Sequence, residues 1–101
     1  DVGNSDILAR AYVGARREKE AIDLYKKKME GEPNSAGLTG RFAQALMEFG
    51  KFDEAAAQWN KAFSIDPINL FFKQKEIEAY NSAGKTAEAQ KASEELKKAT
   101  P

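Results

Sequence analysis

The chain has no cysteine and no histidine in its 101 residues. Without a thiol there is no disulfide, no thiolate nucleophile and no thiolate metal ligand. Without an imidazole, the side chain that most often acts as general base or metal ligand near neutral pH is missing. Ser5, Ser35, Ser64, Ser82 and Ser93 have no such base to activate them, so caps and surface positions are their expected places. The formal net charge is zero, from 16 basic and 16 acidic residues. That balance lacks the basic stripe of a dedicated nucleic-acid binder. No apolar run approaches the roughly 20 residues that span a bilayer. The acids are interleaved with lysines, which is the pattern of a solvated face. Absent cysteine fits the cytoplasm and a bacterial periplasm equally, so the compartment stays open.

There are only three prolines, and their placement is the most informative feature of the chain. Pro33, Pro67 and Pro101 stand at a constant interval of 34 residues. Proline stops a helix, because it has no amide proton and its ring clashes with the preceding turn. Other columns keep the same interval. Ala21, Ala55 and Ala89 align, as do Ala9, Ala43 and Ile77, and Tyr12, Leu46 and Tyr80. Gly50 and Gly84 align with Arg16, and Tyr25 and Trp59 with Ser93. Within the middle copy, Leu38, Phe42, Leu46 and Phe49 recur at helical spacing. A second stripe follows in Phe52, Ala55, Ala56, Trp59, Ala62 and Phe63. Asn34 or Ser35 can cap the first helix, Gly50 can end it, and Thr86 can cap the last helix of the chain. The pattern predicts an all-α fold of three antiparallel helix pairs, in copies at about 2–35, 36–69 and 70–101, forming a single domain. Small alanines would let helix axes approach, and Trp59 and Phe63 would fill space against the next pair.

On these residues the chain resembles the tetratricopeptide repeat family. Phe42-Ala43, Leu46, Gly50, Phe52-Asp53-Glu54-Ala55, Trp59, Ala62 and Asp66-Pro67 make the middle copy the closest match. Three departures are visible. Ser5, Thr39 and Lys73 stand where the family usually has a tryptophan, Arg16 replaces a turn glycine, and Glu76 replaces a large apolar residue. The resemblance implies a right-handed α-solenoid and a non-catalytic role in holding other proteins. Self-association, or recruitment of substrate for a larger enzyme, are the alternative functions. The chain opens on Asp1 rather than Met, so a piece of a longer protein is expected. The polar sequence of residues 90–98 is that of a terminal copy, with the array expected to end there.

In the family, the first helix of each pair lines a concave groove. Helical spacing then picks out Asp6, Arg10 and Val13 in the first copy and Gly37, Arg41, Gln44 and Met47 in the second. Phe71, Gln74, Lys75, Glu78 and Asn81 follow in the third. Arg10, Arg41 and Lys75 give one basic head per copy, suited to an acidic segment of a partner or to ordinary helix-surface ion pairs. Met47, Phe71 and Val13 would add apolar contact area. The family's clamp for acidic chaperone tails needs two lysines, two asparagines and an arginine. Here Asp6, Arg10, Arg41, Phe71 and Lys75 stand at those places, so that clamp is not expected. Gly37 and Gly40 cost about 1 kcal/mol each in a helix relative to alanine. They either trim bulk for packing or let a ligand backbone pass close; a phosphate-binding loop would need a Gly-Lys that is absent. No catalytic residue, cofactor or metal is expected, and the partner is a peptide or helix of another protein rather than nucleic acid or membrane.

Overall fold

The structure is a computed structural model that describes the backbone of residues 2–100 and the side chains of residues 7–100. Six helices run in order: α1 (Val2–Gly14), α2 (Glu18–Gly31), α3 (Ala36–Glu48), α4 (Phe52–Ile65), α5 (Leu70–Ser82) and α6 (Thr86–Ala99). No strand occurs among the described residues. Each helix packs mainly against the next one in the chain, giving three consecutive pairs in an all-helical stack. The stack measures 40 × 26 × 17 Å.

Each pair reverses on one residue with left-handed backbone: Arg16 at φ 62°, Gly50 at 76° and Gly84 at 76°. The amide of the following residue then bonds back five positions to close the helix end. Arg17 N donates to the Tyr12 carbonyl at 2.8 Å, Lys51 to Leu46 at 2.8 Å and Lys85 to Tyr80 at 2.9 Å. Between pairs the chain leaves at Glu32 and Asp66, each held out of helical geometry by the proline that follows. Ser35 Oγ accepts from Leu38 N at 3.1 Å and Asn69 Oδ1 accepts from Phe71 N at 3.2 Å, so α3 and α5 start on side-chain caps. The expected cap at Thr86 does not form. Thr86 is the first residue of α6, Lys85 takes the cap position, and no side chain bonds there. The tight reversal after Gly84 places the hydroxyl one residue too late to reach the orphan amides.

The alanine columns are buried as their size suggests: Ala9, Ala21, Ala43, Ala55, Ala62 and Ala79 lie at the helix contacts. Leu38, Phe42, Leu46 and Trp59 fill the space between them. Gly40 has a specific reason. A β-carbon there would stand 2.9 Å from Phe72 Cε1 and 3.3 Å from Trp59 Cζ3, so the rings rest directly on the α3 backbone. Gly37, one turn away, has only ordinary contact in that position, with Arg41 Nη1 at 3.5 Å.

Two outcomes follow for stability. Gly40→Ala forces the two rings back and should destabilise by about 1–3 kcal/mol, despite its better helix propensity. Gly37→Ala should leave packing unchanged and stabilise by up to about 1 kcal/mol. Urea melts of the two variants check both, and equal effects would contradict the packing. Arg16 carries unfavourable backbone, but its Nη1 donates to the Glu48 carbonyl at 3.1 Å and its guanidinium covers the Phe49 ring at 5.4 Å. Arg16→Gly should therefore be more stable than Arg16→Ala by about 1 kcal/mol, since both lose the side-chain contacts and only glycine relieves the turn.

Candidate partner-binding trough

The inner helices α1, α3 and α5 line two adjoining cavities. The larger, about 420 Å³, lies between α1 and α3 and is lined by Arg10, Val13, Gly14, Tyr25, Arg41, Gln44, Ala45 and Glu48. The second, about 240 Å³, lies between α3 and α5 and is lined by Gly37, Gly40, Arg41, Gln44, Trp59, Phe71 and Phe72. Arg41 and Gln44 line both, so the two cavities adjoin along the α3 surface.

The expected groove residues divide. Arg10, Val13, Gly37, Arg41, Gln44 and Phe71 line the cavities. Met47 is half-buried against the core, and Gln74, Glu78 and Asn81 are exposed; none of them lines either cavity. Asp6 lies outside the described side chains. Lys75 also lines neither cavity: its Nζ sits 3.1 Å from Glu78 Oε2 and 5.9 Å from the centre of the Trp59 ring. The three basic heads therefore do not form an even row. Arg10 and Arg41 share one cavity, while Lys75 is held in an ion pair at the far rim.

Residues that sequence spacing passed over complete the walls, chiefly Tyr25, Trp59, Phe72 and Glu48. The Trp59 ring stacks on Phe72 at 6.1 Å and 29° and meets Phe71 edge-on at 5.9 Å and 88°. A signal for the aromatic wall exists in the repeat itself. Gly37 and Phe71 occupy equivalent places in successive copies, so a void in one copy faces a ring in the next.

A third cavity, about 180 Å³, lies among α4, α5 and α6 and is polar, with Asn60, Glu76, Tyr80, Glu88, Lys91 and Glu95 in its wall. Beside it is a buried ion pair, which corrects the expectation that acids and lysines share only solvated faces. Lys73 is 1 % exposed and Glu76 4 %. Lys73 Nζ donates to Glu76 Oε1 at 2.6 Å, Glu95 Oε1 at 3.0 Å and Asn60 Oδ1 at 3.3 Å, and lies 4.8 Å from the Phe63 ring centre. Burial opposes the ammonium charge, yet the bonds to Glu76 and Glu95 outweigh it and hold the Lys73 pKa above its ordinary 10.5. Burial pushes the Glu76 carboxyl up, against the pull of Lys73. Among the described residues no cluster of carboxylates has the arrangement of a metal site.

Six helices stacked in consecutive pairs define the class of protein: an α-solenoid. The tetratricopeptide repeat family model matches residues 12–67, and the chain belongs to that family. Its members are generally protein-interaction scaffolds without catalysis of their own. Solved structures share the fold. MamA of AMB-1 superposes with a TM-score of 0.79 at 23% identity, over 98% of this chain and 59% of that one. MamA of MSR-1 gives 0.79 at 22% identity, over 98% and 57%. A further crystal structure of MamA gives 0.78 at 22%, over 92% and 51%. This chain thus spans little more than half the length of those proteins. No curated protein sequence matches it. No helix among the described residues is long and apolar enough to cross a membrane.

The ion pair gives a testable outcome. Lys73→Ala leaves Glu76 buried without its partner and should cost about 2–4 kcal/mol, the lower part of the range because Glu95 reaches solvent. Lys73→Met with Glu76→Leu should be close to neutral. A raised lysine pKa contributes stability that is complete below pH 10.5 and lost as pH rises through the folded value. The urea midpoint of the wild type should therefore fall further above pH 10.5 than that of the double variant.

Proposed function

We propose that the trough holds an extended or helical segment of another protein, without chemistry on it, and that Arg10 and Arg41 orient acidic groups of that segment. The observation that carries this reading is the sharing of Arg41 and Gln44 by the two cavities. A chain bound along α1, α3 and α5 would meet both cavities, with Arg41 and Gln44 between them. Among the described residues, the larger cavity carries Arg10 and Arg41 against Glu48, a balance that suits an anionic ligand. Guanidinium heads hold carboxylates through paired donors. The outer rim residues Gln74, Lys75, Glu78 and Asn81, with Val13 and Met47 beneath, would add contacts for a longer segment, and Asp6 would extend the site at the α1 end.

The test is a selection of random displayed dodecapeptides on the wild-type chain. Selected peptides are then titrated by fluorescence anisotropy against wild type and an Arg10→Glu/Arg41→Glu variant. Binding should weaken at least tenfold in the variant, and wild-type binding should weaken as salt rises from about 50 to about 500 mM. Equal affinity for both proteins at low salt would remove the arginines from the site.

A further inference from the structure

We propose that the end face of the stack at α1 is the seat of a further helix of the same polypeptide. That helix is the second member of a pair preceding Val2, and it lays an aromatic residue against Leu8.

The interface between copies supplies the comparison. On α3 and α5, two columns face the copy before. Phe42 meets the Tyr25 ring of α2 at 5.7 Å, and Ala45 lines the cavity that α3 shares with α1. Phe42 is 4 % exposed, and Ala45, Glu76 and Ala79 of the same two columns are buried with it. On α1 the columns hold Leu8 and Ala11. Leu8 is 45 % exposed, and Ala11 is exposed too. Ile7 beside them is 66 % exposed, where the later copies carry Arg41 and Lys75. The face that α2 covers on α3 is therefore open on α1, and it is apolar.

The other end of the stack shows how the chain treats a face that nothing covers. The columns turned toward the next copy read Tyr25, Trp59, Ser93 and Met29, Phe63, Lys97. Tyr25, Trp59 and Phe63 meet Phe42, Phe72 and Lys73 of the following copy. On α6, the last helix of the stack, serine and lysine take their places. A polar outer face of this kind keeps a terminal repeat soluble. At α1 the matching replacement has not been made.

That contrast selects the occupant. Head-to-tail stacking of a second copy would bring Ser93 and Lys97 to Leu8, a poor match. Two α1 helices face to face would meet over 13 residues, a footprint about 20 Å long and 10 Å wide. Such a contact falls short of the roughly 1,200 Å² at which stable interfaces between separate chains begin. A helix joined through a short connection is held at high effective concentration and needs less area. The pairs already present show its form. α2 and α4 each carry a ring against the next copy and lead into its first helix through residues 32–35 and 66–69.

Val2 is equivalent to Leu70 at twice the repeat interval, so residues 52–69 can be placed directly before Val2 with the junction that leads from α4 into α5. The extended chain should melt at least about 5 °C above wild type. Leu8→Glu should remove that gain while shifting the wild type less, and Trp59→Ser in the added segment alone should remove most of it. An extended chain that melts like the wild type, or that keeps its gain with Leu8→Glu, would refute the seat. The source is tested apart from the seat. The coding sequence ahead of residue 1 should place Phe, Tyr or Trp 34 residues before Tyr25, in a helical apolar stripe. A charged residue at that position, a helix-breaking run around it, or a start codon closer than it would rule out the same-chain helix. Sedimentation tests the second copy: a wild-type dimer that Leu8→Glu converts to monomer would overturn the proposal.

Discussion

A missing β-carbon at residue 40 sets how the second and third copies meet. Phe72 and Trp59 lie where that carbon would stand, so the α3 backbone and two rings share one contact. Any larger residue would force these rings to shift, since its β-carbon would stand inside their contact distance. The contact brings Phe72 of α5 and Trp59 of α4 onto the same stretch of α3, beside the broader packing of α4 on α5. It also decides what faces outward. Adjacent residues on a helix point about 100° apart, so with Phe72 turned into the contact, Phe71 is turned toward the trough. The wall of the smaller cavity is a by-product of this packing.

The rest of the stack is held by features that repeat rather than by one large core. Each pair reverses on a left-handed residue whose neighbour bonds back to residue 12, 46 or 80. Along the outer helices, Lys51 reaches Glu18 at 3.4 Å and Lys85 reaches Asp53 at 3.2 Å, so each turn lysine touches an acid of the copy before it. Such exposed pairs are individually weak. Their value lies in register, since the same lysine column meets the previous copy each time. Arg17, the first member of that column, is instead paired with Glu20 of its own helix at 2.6 Å. Arg16 makes up for its poor backbone by reaching across to α3, so even the irregular turn ties one copy to the next.

The number, order and extent of the helices were legible from the proline interval and the alanine columns, because stop signals and small residues act locally and repeat. The burial of Trp59 was legible for the same reason, as was a cap at Asn34 or Ser35, of which Ser35 makes it. The ion pair was not, because charge alone does not reveal depth. Yet its position carried a hint: Lys73 shares a column with Thr39, which is also buried and donates its hydroxyl to the Ser35 carbonyl at 2.8 Å. A polar residue in a buried column must find a partner, and Glu76 stands one turn on. The trough was legible only in part. Helical spacing identifies which residues leave the core stripe, and so picked out Arg10, Val13, Gly37, Arg41, Gln44 and Phe71, which line the two cavities. It cannot show that Lys75 folds back onto Glu78 and Trp59, or that Met47 leans into the core, since both depend on side-chain direction across helices.

Gly37 and Gly40 look alike in sequence and differ in cause. Gly40 is required by the rings that rest on it. Gly37 carries the same conformational cost in a helix, and no packing contact forbids a side chain there. Phe71, its equivalent in the next copy, leaves half of its surface in water. Each choice is unfavourable for the fold taken alone, and the two face one another across the same cavity. Marginal stability leaves little room for such choices without a return. Together they keep open a space whose only charged lining among the described residues is Arg41, and that space gives both departures a common physical reason.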